Sequence, residues 1–405
     1  MMKRLDFYMT KGYRFIGASL KNMGNSCYVN AVLQCLTHTV PLVEALRSSD
    51  HSSLCSRGAD EFCSFCILKK HVDYCLRASG FSITPKLFVN NLSKISSDFE
   101  PGQQQDAHEF LCCLLDKLHQ SFNSEHSPIS QIFGGHIKSQ VCCCNCAHVT
   151  DTYESMIDLS LEIDNAETFT LIDALESFTK VETLDDPDNK FSCEACQDKV
   201  FVEKQIKLFE APQVLSINFK RFKVCSSGIY KIDKFVEYPL QLDLRPFLSS
   251  PENEMQYNYE LYAIIVHYED HYYSIVRSTD NIWHALNDDK VFRYPQYLAL
   301  NRSAYILFYI KQGSAPWFMS VLERVLRTSV EDIDATKISE KENDQTTTKA
   351  EDTTKASDHY PRPKEGSKDQ ENSHKNIEKE SQNDEDTSNT RKRGRVQYEN
   401  EPVSP

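Results

Sequence analysis

The last 75 residues, 331–405, most restrict what this chain can fold into, because they contain no Leu, Phe or Trp. They include 13 Lys or Arg and 19 Asp or Glu residues, which gives 32 charged side chains and a net charge of -6. A segment of this composition cannot bury enough apolar surface to offset the entropy that is lost on ordering. The sequence therefore predicts a disordered acidic tail, and it confines the folded part of the chain to earlier residues.

Charge and hydropathy exclude several classes of protein. The formal net charge of the 405-residue chain is -14, which argues against general nucleic-acid binding and suits a partner with a basic surface or a basic peptide tail. The N-terminus carries no apolar run like a signal-peptide core, and no stretch approaches the roughly 18 apolar residues of a membrane span. We therefore expect a soluble intracellular protein whose 15 cysteines are reduced rather than paired in disulfides.

The chain changes character along its length. Residues 28–36 and 107–118 carry apolar stripes at helical spacing and predict helices. The later part is rich in β-branched and aromatic residues, and this composition predicts strands at 214–222, 262–268, 271–277 and 303–310. Because helices come first and strands later, the sequence indicates an α+β fold.

Cys27 has the placement of a reactive thiol in the segment KNMGNSCYVNAVLQCL. Gly24 permits an unusual turn, and Ser26 is a residue type that caps helices. A thiol at the start of a helix faces unpaired backbone amides and the positive helix end, and both favour the thiolate. Cys35 lacks this placement and is predicted to lie in the core. A small buried hydrophobe is the alternative interpretation of Cys27 as well.

A catalytic thiolate needs a base, and the base needs a partner that orients it. The segment HYEDHYYSIV supplies His267 and His271, and WHALNDDKV supplies Asn287, Asp288 and Asp289. A Cys near the start of a chain, with His and Asn or Asp far downstream, is an order found in cysteine proteases. These residues are therefore candidates for the base and its orienting partner.

Six blocks of the sequence resemble those of the ubiquitin-specific proteases. The cysteine box of that family is similar to KNMGNSCYVNAVLQCL, and the blocks that follow it are similar to GQQQDAHEFL and VLSINFKRF. The family's histidine box is similar to HYYSIV, WHALNDDKV and AYILFY, in the same order. The resemblance implies an α+β, papain-like cysteine protease fold with thumb, palm and zinc-bearing fingers subdomains.

The resemblance implies a role for each matching residue. Cys27 would be the nucleophile and His271 the base. Asn287 would orient His271, and Asp288 is a candidate to share that role because a neutral amide cannot offset the imidazolium charge. Asn22 matches an asparagine that stabilises the oxyanion, which suits a preorganised amide donor.

Other positions in these blocks are assigned by the same resemblance. Asp106 and Glu109 match residues that contact the basic C-terminal tail of ubiquitin, although a solvated acidic helix face is the alternative interpretation. His108 is expected to be a structural helix residue, and His267 a packed strand histidine. Asp270 stands where the family has glycine, so we expect its side chain to narrow the channel to the thiol.

Two Cys-x-x-Cys pairs predict a metal site. Cys143 and Cys146 form the first pair, Cys193 and Cys196 form the second, and 46 residues separate them. Four thiolates in a reduced protein suit a tetrahedral structural zinc ion. The separation is longer than in a compact zinc ribbon, but it resembles the fingers insertion of the family.

A second cysteine-rich group admits two interpretations. It comprises Cys55, Cys63, Cys66, His71 and Cys75, of which only Cys63 and Cys66 have the spacing of a zinc knuckle. The segment FCSFCILKKHVDYCL also predicts a helix with cysteines packed on one face. The helix interpretation is preferred over a second metal site.

The resemblance implies a deubiquitinating thiol protease that hydrolyses the peptide or isopeptide bond after the C-terminal glycine of ubiquitin. The expected partners are ubiquitin and ubiquitylated proteins, without an organic cofactor, a specific nucleic acid or a membrane. We expect a monomeric catalytic domain in the cytoplasm or nucleus. The alternatives are a catalytically weak ubiquitin-binding scaffold, a zinc-dependent interaction module and a papain-like protease of another substrate class.

We expect the chain to divide into four segments. They are a short N-terminal segment (1–15), the catalytic domain (16–310) with its fingers insertion at about 140–200, a short helical or linker segment (311–330), and the acidic tail (331–405). Residues 391–395 form a basic cluster in the tail that is a candidate nuclear-import signal.

Overall fold

The computed structural model describes residues 16–49, 51, 55, 62–122, 127–186, 190–226, 228–250, 257–279 and 281–327. The expected segments 1–15 and 331–405, including the basic cluster at 391–395, lie outside the described residues. Helices dominate the first part and strands the later part, so the predicted α+β class is confirmed. No helix in the described ranges is long and apolar enough to cross a bilayer.

The helices follow the predicted periodicity, and the two predicted ones begin or end within one residue of their expected bounds. The helices are α1 (Cys27–Thr37), α2 (Val40–Ser48), α3 (Ser64–Arg77), α4 (Lys86–Val89), α5 (Leu92–Ile95), α6 (Ala107–His119), α7 (Pro128–Phe133), α8 (Leu171–Thr179) and α9 (Gln296–Leu300). A 3-10 turn lies at Arg245–Phe247, and residues 318–327 are also helical.

The strands form one large sheet and several small ones. Those of the large sheet are β5 (Leu159–Leu161), β10 (Val214–Phe219), β13 (Gln241–Asp243), β14 (Asn258–Tyr268), β15 (His271–Thr279), β16 (Ile282–Asn287), β17 (Lys290–Tyr294) and β18 (Ala304–Lys311). Their order is β17-β16-β15-β14-β18-β10-β5, with β13 paired to β14. All neighbours are antiparallel except β10 and β5.

The smaller sheets use the remaining strands. These are β1 (Ser19–Leu20), β2 (Ser82–Ile83), β3 (Gly135–Cys143), β4 (Val149–Met156), β6 (Glu182–Leu184), β7 (Phe191–Ser192), β8 (Lys199–Val200), β9 (Val202–Glu210), β11 (Phe222–Cys225) and β12 (Gly228–Lys231). The order β4-β3-β9-β6 builds an antiparallel sheet, while β7 pairs with β8, β11 with β12, and β1 with β2.

All four predicted strands are present, but the strand expected at 214–222 is interrupted. The β10 strand ends at Phe219, and Arg221 is only 1% exposed. Its guanidinium group donates to three backbone carbonyls, including those of Ala304 at 2.6 Å and Ile232 at 2.8 Å. Burial lowers the pKa of Arg221 to about 10. The chain therefore leaves the sheet so that a buried cation can be satisfied by carbonyls.

The large sheet lies between two apolar cores. Along β14, Ala263 and Ile265 pack with the helices, whereas Ile264 and Val266 pack into the second core. This alternation is the period of two that a strand imposes on its side chains. Because both faces are covered, the strand has a continuous apolar sequence rather than an alternating one. Helix α1 packs on β15 and on α6, and all of its residues are buried.

Candidate active site

The loop before α1 brings Cys27 to the first position of the helix. Gly24 and Asn25 adopt φ angles of 89° and 51°, in the left-handed region that favours glycine and tolerates asparagine. Ser26 is the N-cap residue, and its Oγ accepts a hydrogen bond from the Met23 amide at 2.9 Å. Two successive left-handed residues therefore reverse the backbone and deliver the sulfur to the helix start.

Cys27 is 2% exposed, and its surroundings affect the pKa of its thiol in opposite directions. Burial raises its pKa and the nearby Asp288 carboxylate raises it further, while the backbone N–H groups of Tyr272, Tyr28 and Cys27 itself lower it. The net pKa is raised. The amides lower the pKa as predicted for a helix start, but desolvation outweighs them.

His271 begins strand β15, which packs on α1. Its Nε2 lies 2.7 Å from Asn287 Oδ1, and the Asp288 carboxylate is farther away, with Oδ2 at 3.9 Å. The backbone of Tyr272, the residue after His271, lies close enough to Cys27 to lower the pKa of its thiol, so this end of β15 faces the start of α1. The fold thus gathers the residues expected to be nucleophile, base and orienting amide.

Asp288 joins two distant parts of the chain. Its Oδ2 accepts from Asn22 Nδ2 at 3.0 Å, and its Oδ1 accepts from Asn30 Nδ2 at 2.8 Å. Its backbone carbonyl accepts from the Leu20 amide at 3.1 Å, and its φ of 51° turns the chain after β16. Asp288 therefore contacts the cysteine loop more closely than it contacts His271.

The orientation of the Asn22 amide is set by its neighbours. Oδ1 accepts from the backbone amides of Gly24 at 2.9 Å and Ser26 at 3.2 Å. Only an oxygen can accept both bonds, so the amino group must face the Asp288 carboxylate. The amide orientation of Asn22 is therefore fixed by the loop and by Asp288, and such preorganisation is what an oxyanion donor requires.

Asp106 is committed to internal partners. It caps α6, and its Oδ1 accepts from the His108 amide at 2.8 Å and the Glu109 amide at 3.0 Å. Its Oδ2 accepts from the hydroxyls of Tyr272 at 3.3 Å and Tyr305 at 2.6 Å. Both oxygens are therefore occupied by the protein, whereas Glu109 is exposed on the first turn of the helix.

Two further hydrogen bonds connect the loops around the site. Gln104 Nε2 donates to the Asp270 carbonyl at 2.8 Å, and Asn25 Nδ2 donates to the Gly102 carbonyl at 2.9 Å. The β14–β15 turn contains only two residues, of which Glu269 has a φ of 51°. The positive φ thus falls on Glu269, while Asp270 is exposed and held through its backbone.

The other two histidines singled out in the sequence have packing partners. The ring of His267 lies 4.4 Å from that of Tyr272 and 5.2 Å from that of Phe222, and burial lowers its pKa to about 4. His108 Nε2 lies 2.8 Å from Asp158 Oδ2 on the side of α6. Both histidines have structural contacts that account for their positions.

The four cysteines of the Cys-x-x-Cys pairs converge at the end of the β3–β9 sheet. All four sulfurs lie within 4.8 Å of one another, with 4.0 Å between Cys143 and Cys196 and 3.7 Å between Cys146 and Cys193. This cluster, which we call the fingers cluster, could hold a metal ion. A tetrahedral ion with metal–sulfur bonds of about 2.3 Å would separate two sulfurs by about 3.8 Å.

The two halves of the fingers cluster have matching backbone geometry. After the first pair, the Ala147 amide donates to the Cys143 carbonyl at 2.9 Å, and Ala147 has a φ of 58°. After the second pair, the Gln197 amide donates to the Cys193 carbonyl at 2.9 Å, with a φ of 61° at Gln197. Each pair therefore sits on a tight turn that points both sulfurs to one side.

The residues of the second cysteine-rich group fall into two separate places in the structure. The predicted helix is present as α3, and within it His71 Nε2 lies 3.4 Å from Cys75 Sγ. The helix interpretation does not account for the whole group, however. Cys55, Cys63 and Cys66 lie with His51 in a cluster of potential metal ligands. Sequence reasoning missed His51, although the three residues between it and Cys55 are a spacing that zinc-ligand pairs use.

An α+β domain with a cysteine at a helix start and a histidine–asparagine pair on the facing sheet has the architecture of a papain-like thiol hydrolase. A family model described as ubiquitin carboxyl-terminal hydrolase matches residues 18–309. The chain therefore belongs to the ubiquitin carboxyl-terminal hydrolase family, and the resemblance found in the sequence is confirmed.

Individual relatives agree with this assignment. Ubiquitin carboxyl-terminal hydrolase 21 of Arabidopsis thaliana is 41% identical over 327 residues, which cover 76% of this chain and 44% of the relative. Ubiquitin carboxyl-terminal hydrolase 42 of Homo sapiens is 36% identical over 311 residues, which cover 73% of this chain and 23% of the relative. This chain thus spans less than half the length of these two relatives.

A solved structure supports the fold. The structure of the SAGA Ubp8/Sgf11/Sus1/Sgf73 DUB module bound to ubiquitin aldehyde matches with a TM-score of 0.65 and 28% identity, covering 75% of this chain and 71% of the matched chain. The expected papain-like fold with a cysteine-bearing fingers sheet is therefore confirmed.

Proposed function

We propose that this chain is a deubiquitinating thiol protease that hydrolyses the bond after the C-terminal glycine of ubiquitin. The observation that carries the proposal is the pair formed by His271 and Asn287, 2.7 Å apart, on strands that pack against the helix begun by the buried Cys27. Membership of the ubiquitin carboxyl-terminal hydrolase family supports the substrate class. The similar Ubp8 module is bound to ubiquitin aldehyde, a ubiquitin whose C-terminus carries an electrophile.

The proposed reaction begins with transfer of the thiol proton. Because Nε2 of His271 donates to Asn287 Oδ1, the tautomer leaves Nδ1 as the acceptor for the Cys27 proton. The sulfur then attacks the glycine carbonyl carbon, and His271 returns the proton to the departing amine. Water hydrolyses the resulting thioester with His271 again acting as base.

The oxyanion of the tetrahedral intermediate needs donors near the sulfur. We assign this role to Asn22, whose amide orientation is set by Gly24 and Ser26 and whose amino group is held by Asp288. Removing one preorganised donor of this kind typically costs about 3 kcal/mol of transition-state stabilisation. Asp288 then acts chiefly by positioning Asn22, and Asn287 alone orients His271.

The two acidic residues at the start of α6, Asp106 and Glu109, have different roles in this proposal. Glu109 is exposed and is the carboxylate that contacts the basic tail of ubiquitin. Asp106 instead positions Tyr272 and Tyr305 through their hydroxyls, and the backbone of Tyr272 reaches the Cys27 sulfur. The Asp106 carboxylate is therefore a positioning group, and its contact with ubiquitin would be indirect.

We propose that the metal of the fingers cluster is zinc. Cys143, Cys146, Cys193 and Cys196 supply the four thiolate donors that structural zinc prefers, at separations that a tetrahedral ion would impose. The ion would stabilise the end of the fingers sheet and would take no part in the reaction. No other cofactor is needed for thiol hydrolysis.

The reaction of full-length protein with a ubiquitin that carries a C-terminal electrophile tests the proposal. We expect a covalent adduct, detected by intact mass, that the Cys27→Ala variant fails to form and that the Cys113→Ser control forms normally. Absence of an adduct with the unaltered protein would overturn the activity. An adduct with Cys27→Ala would move the nucleophile elsewhere. Labelling without turnover of a ubiquitin–fluorophore fusion would identify a weakly catalytic ubiquitin-binding scaffold instead.

A further inference from the structure

A second group of metal-ligating side chains lies at the start of α3, apart from the fingers cluster. It comprises His51, Cys55, Cys63 and Cys66, whose imidazole nitrogen and three sulfurs all lie within 4.8 Å of one another. We call it the α3 cluster. His51 is 6% exposed and Cys63 is 4% exposed, so two of the four donors are withdrawn from water. Three thiols and an imidazole form a donor set that zinc binds in structural sites.

The separations in the α3 cluster suit a common ion. His51 Nε2 lies 3.3 Å from Cys63 Sγ. Zinc bonds of about 2.0–2.1 Å to nitrogen and about 2.3 Å to sulfur place such a pair roughly 3.5 Å apart in a tetrahedron. The sulfurs of Cys55 and Cys66 also lie within 4.8 Å of Cys63 Sγ and of each other. One central ion could therefore contact all four donors with small adjustments.

The backbone around Cys63 repeats a feature of the fingers cluster. The amide of Ile67 donates to the Cys63 carbonyl at 3.0 Å, just as the amide of Gln197 donates to the Cys193 carbonyl at 2.9 Å. In both pairs the amide four residues later bonds to the carbonyl of the first cysteine, which closes one turn of backbone around the two sulfurs. The two Cys-x-x-Cys pairs thus share local geometry although one starts a helix and the other a tight turn.

The surroundings of His51 favour a ligand role over random packing. Its ring centroid lies 4.8 Å from that of Phe65 and 5.0 Å from that of Phe122, so aromatic contacts fix its plane while Nε2 points at Cys63. The His71–Cys75 pair on the same helix offers an internal contrast. Those two residues are one turn apart and gather no third ligand among the described residues.

We propose that His51, Cys55, Cys63 and Cys66 bind a second structural zinc ion, with three thiolates and one imidazole as ligands. The ion would tie the segment that follows α2 to the first turn of α3. Its role would be conformational, because α3 also supports the cysteine loop from its other end, where the Cys75 carbonyl accepts from the Ala18 amide at 2.9 Å. This site is independent of the proposed catalytic activity.

Metal content of the purified full chain tests the proposal. We expect two zinc ions per chain by inductively coupled plasma mass spectrometry, and one ion after either Cys66→Ser or Cys196→Ser. The double variant should retain none, and the Cys113→Ser control should retain two. The proposal is overturned by one ion per chain in the unaltered protein together with unchanged zinc content in Cys66→Ser.

A second measurement does not depend on how well a variant folds. In the unaltered protein, Cys63 and Cys66 should resist alkylation until a zinc chelator is added, and peptide mass spectrometry would then report their modification. Equal alkylation of these two cysteines with and without chelator would overturn the proposal, as would a Cys63–Cys66 disulfide in protein prepared with a reductant. Cobalt bound to the Cys196→Ser variant should give a tetrahedral spectrum of mixed sulfur and nitrogen ligation.

Discussion

The catalytic groove and the end of the fingers sheet are stabilised by different means. At the groove, α1 is fully buried against β15, and the sheet carrying His271 has an apolar core on each face. At the fingers end, the apolar cluster consists of only Cys143, Cys193, Val200 and Val202, with a few half-buried neighbours. A core that small contributes little stability to a sheet end, and the proposed zinc–thiolate bonds would supply what packing does not.

This difference implies that substitutions can change catalytic turnover and metal-dependent stability separately. A residue of the groove should alter turnover while the fingers metal stays bound. A ligand of the fingers cluster should alter stability and substrate affinity while the groove keeps its geometry. The variants described next test whether the two regions respond independently.

The largest effect is expected from removal of the base. His271→Ala should lower kcat on a ubiquitin–fluorophore fusion by about 10⁴-fold or more, because the Cys27 thiol then has no proton acceptor. Zinc content and the thermal midpoint should stay within the range of the unaltered protein. Loss of zinc in this variant would show that groove and fingers are coupled. His267→Ala is the matched control, and turnover as low as that of His271→Ala would assign the base to His267.

The next effect concerns Asn287, the last residue of β16, and Asp288, which follows it. Asn287→Ala should lower kcat by about 10- to 100-fold, since His271 loses its 2.7 Å partner but keeps its place on the strand. Asp288→Ala should lower kcat because Asn22, the proposed oxyanion donor, loses the carboxylate that positions it. The two reductions in kcat should multiply in the double variant, because one affects the orientation of the base and the other affects stabilisation of the oxyanion. A double variant no slower than Asn287→Ala would remove Asp288 from the mechanism.

Removal of one fingers ligand should have a moderate effect of another kind. Cys193→Ser should release the metal and lower the thermal midpoint by several degrees, on the order of 1–3 kcal/mol, because structural zinc contributes folding free energy directly. We expect KM for ubiquitin substrates to rise while kcat changes little. Cys144→Ser, an exposed neighbour outside the cluster, is the matched control. A fall in kcat equal to that of Asn287→Ala would contradict the separation of the two regions.

A smaller effect concerns the pH dependence of folding stability, which we expect to depend on the buried His38. Burial lowers the pKa of His38 to about 4 from its ordinary value of 6.5. The unfolded chain therefore binds more protons than the folded chain between these values, so stability is full above pH 6.5 and falls as pH drops towards 4. His38→Asn should reduce the difference in unfolding free energy between pH 7 and pH 5 by on the order of 1–2 kcal/mol.

Denaturant titrations at the two pH values would measure this change. The exposed His119→Asn variant should leave the difference unaltered, and so serves as the control. If His38→Asn lost as much stability on acidification as the unaltered protein, proton uptake by His38 would play no part in acid sensitivity.

The elements of the fold were predictable because their signals are local. The apolar stripe of α1 and the aromatic runs of β14 and β18 lie within short windows, and the structure has these elements within a few residues of the expected bounds. The conversion of the 214–222 strand into two pieces was not predictable. It depends on Arg221 finding the Ala304 carbonyl, which is 83 positions away in the chain.

The residues of the site could be named from the sequence, but their contacts could not. Asp106 matched a ubiquitin-contacting position, yet its Oδ2 is taken by Tyr272 and Tyr305, which are 166 and 199 positions away. Asp288 was expected beside His271, and its closer partners are Asn22 and Asn30. Such contacts arise only when distant elements pack, so spacing within a motif carries no information about them.

The smallest expected effect concerns the turn before His271. The sequence predicts that the Asp270 side chain narrows the channel, but that side chain is exposed and only its backbone carbonyl is engaged, by Gln104. Asp270→Gly should therefore change kcat/KM by less than about threefold, which corresponds to less than about 0.7 kcal/mol. A larger increase would restore the channel hypothesis. Glu269→Gly is the informative comparison, because its φ of 51° suits glycine and should stabilise the turn slightly.

The bond between Asn22 and Asp288 spans 266 positions of the chain, and this has a consequence during synthesis. The nucleophile helix leaves the ribosome long before the strands that carry the base and the aspartate exist. A growing chain therefore holds a thiol without a proton acceptor, and it cannot cleave ubiquitin from itself or from nearby proteins. Until β15 arrives, the buried face of α1 has no sheet to cover it, and its apolar surface is exposed to aggregation. Proteolytic competence begins only when the last strands of the domain are complete.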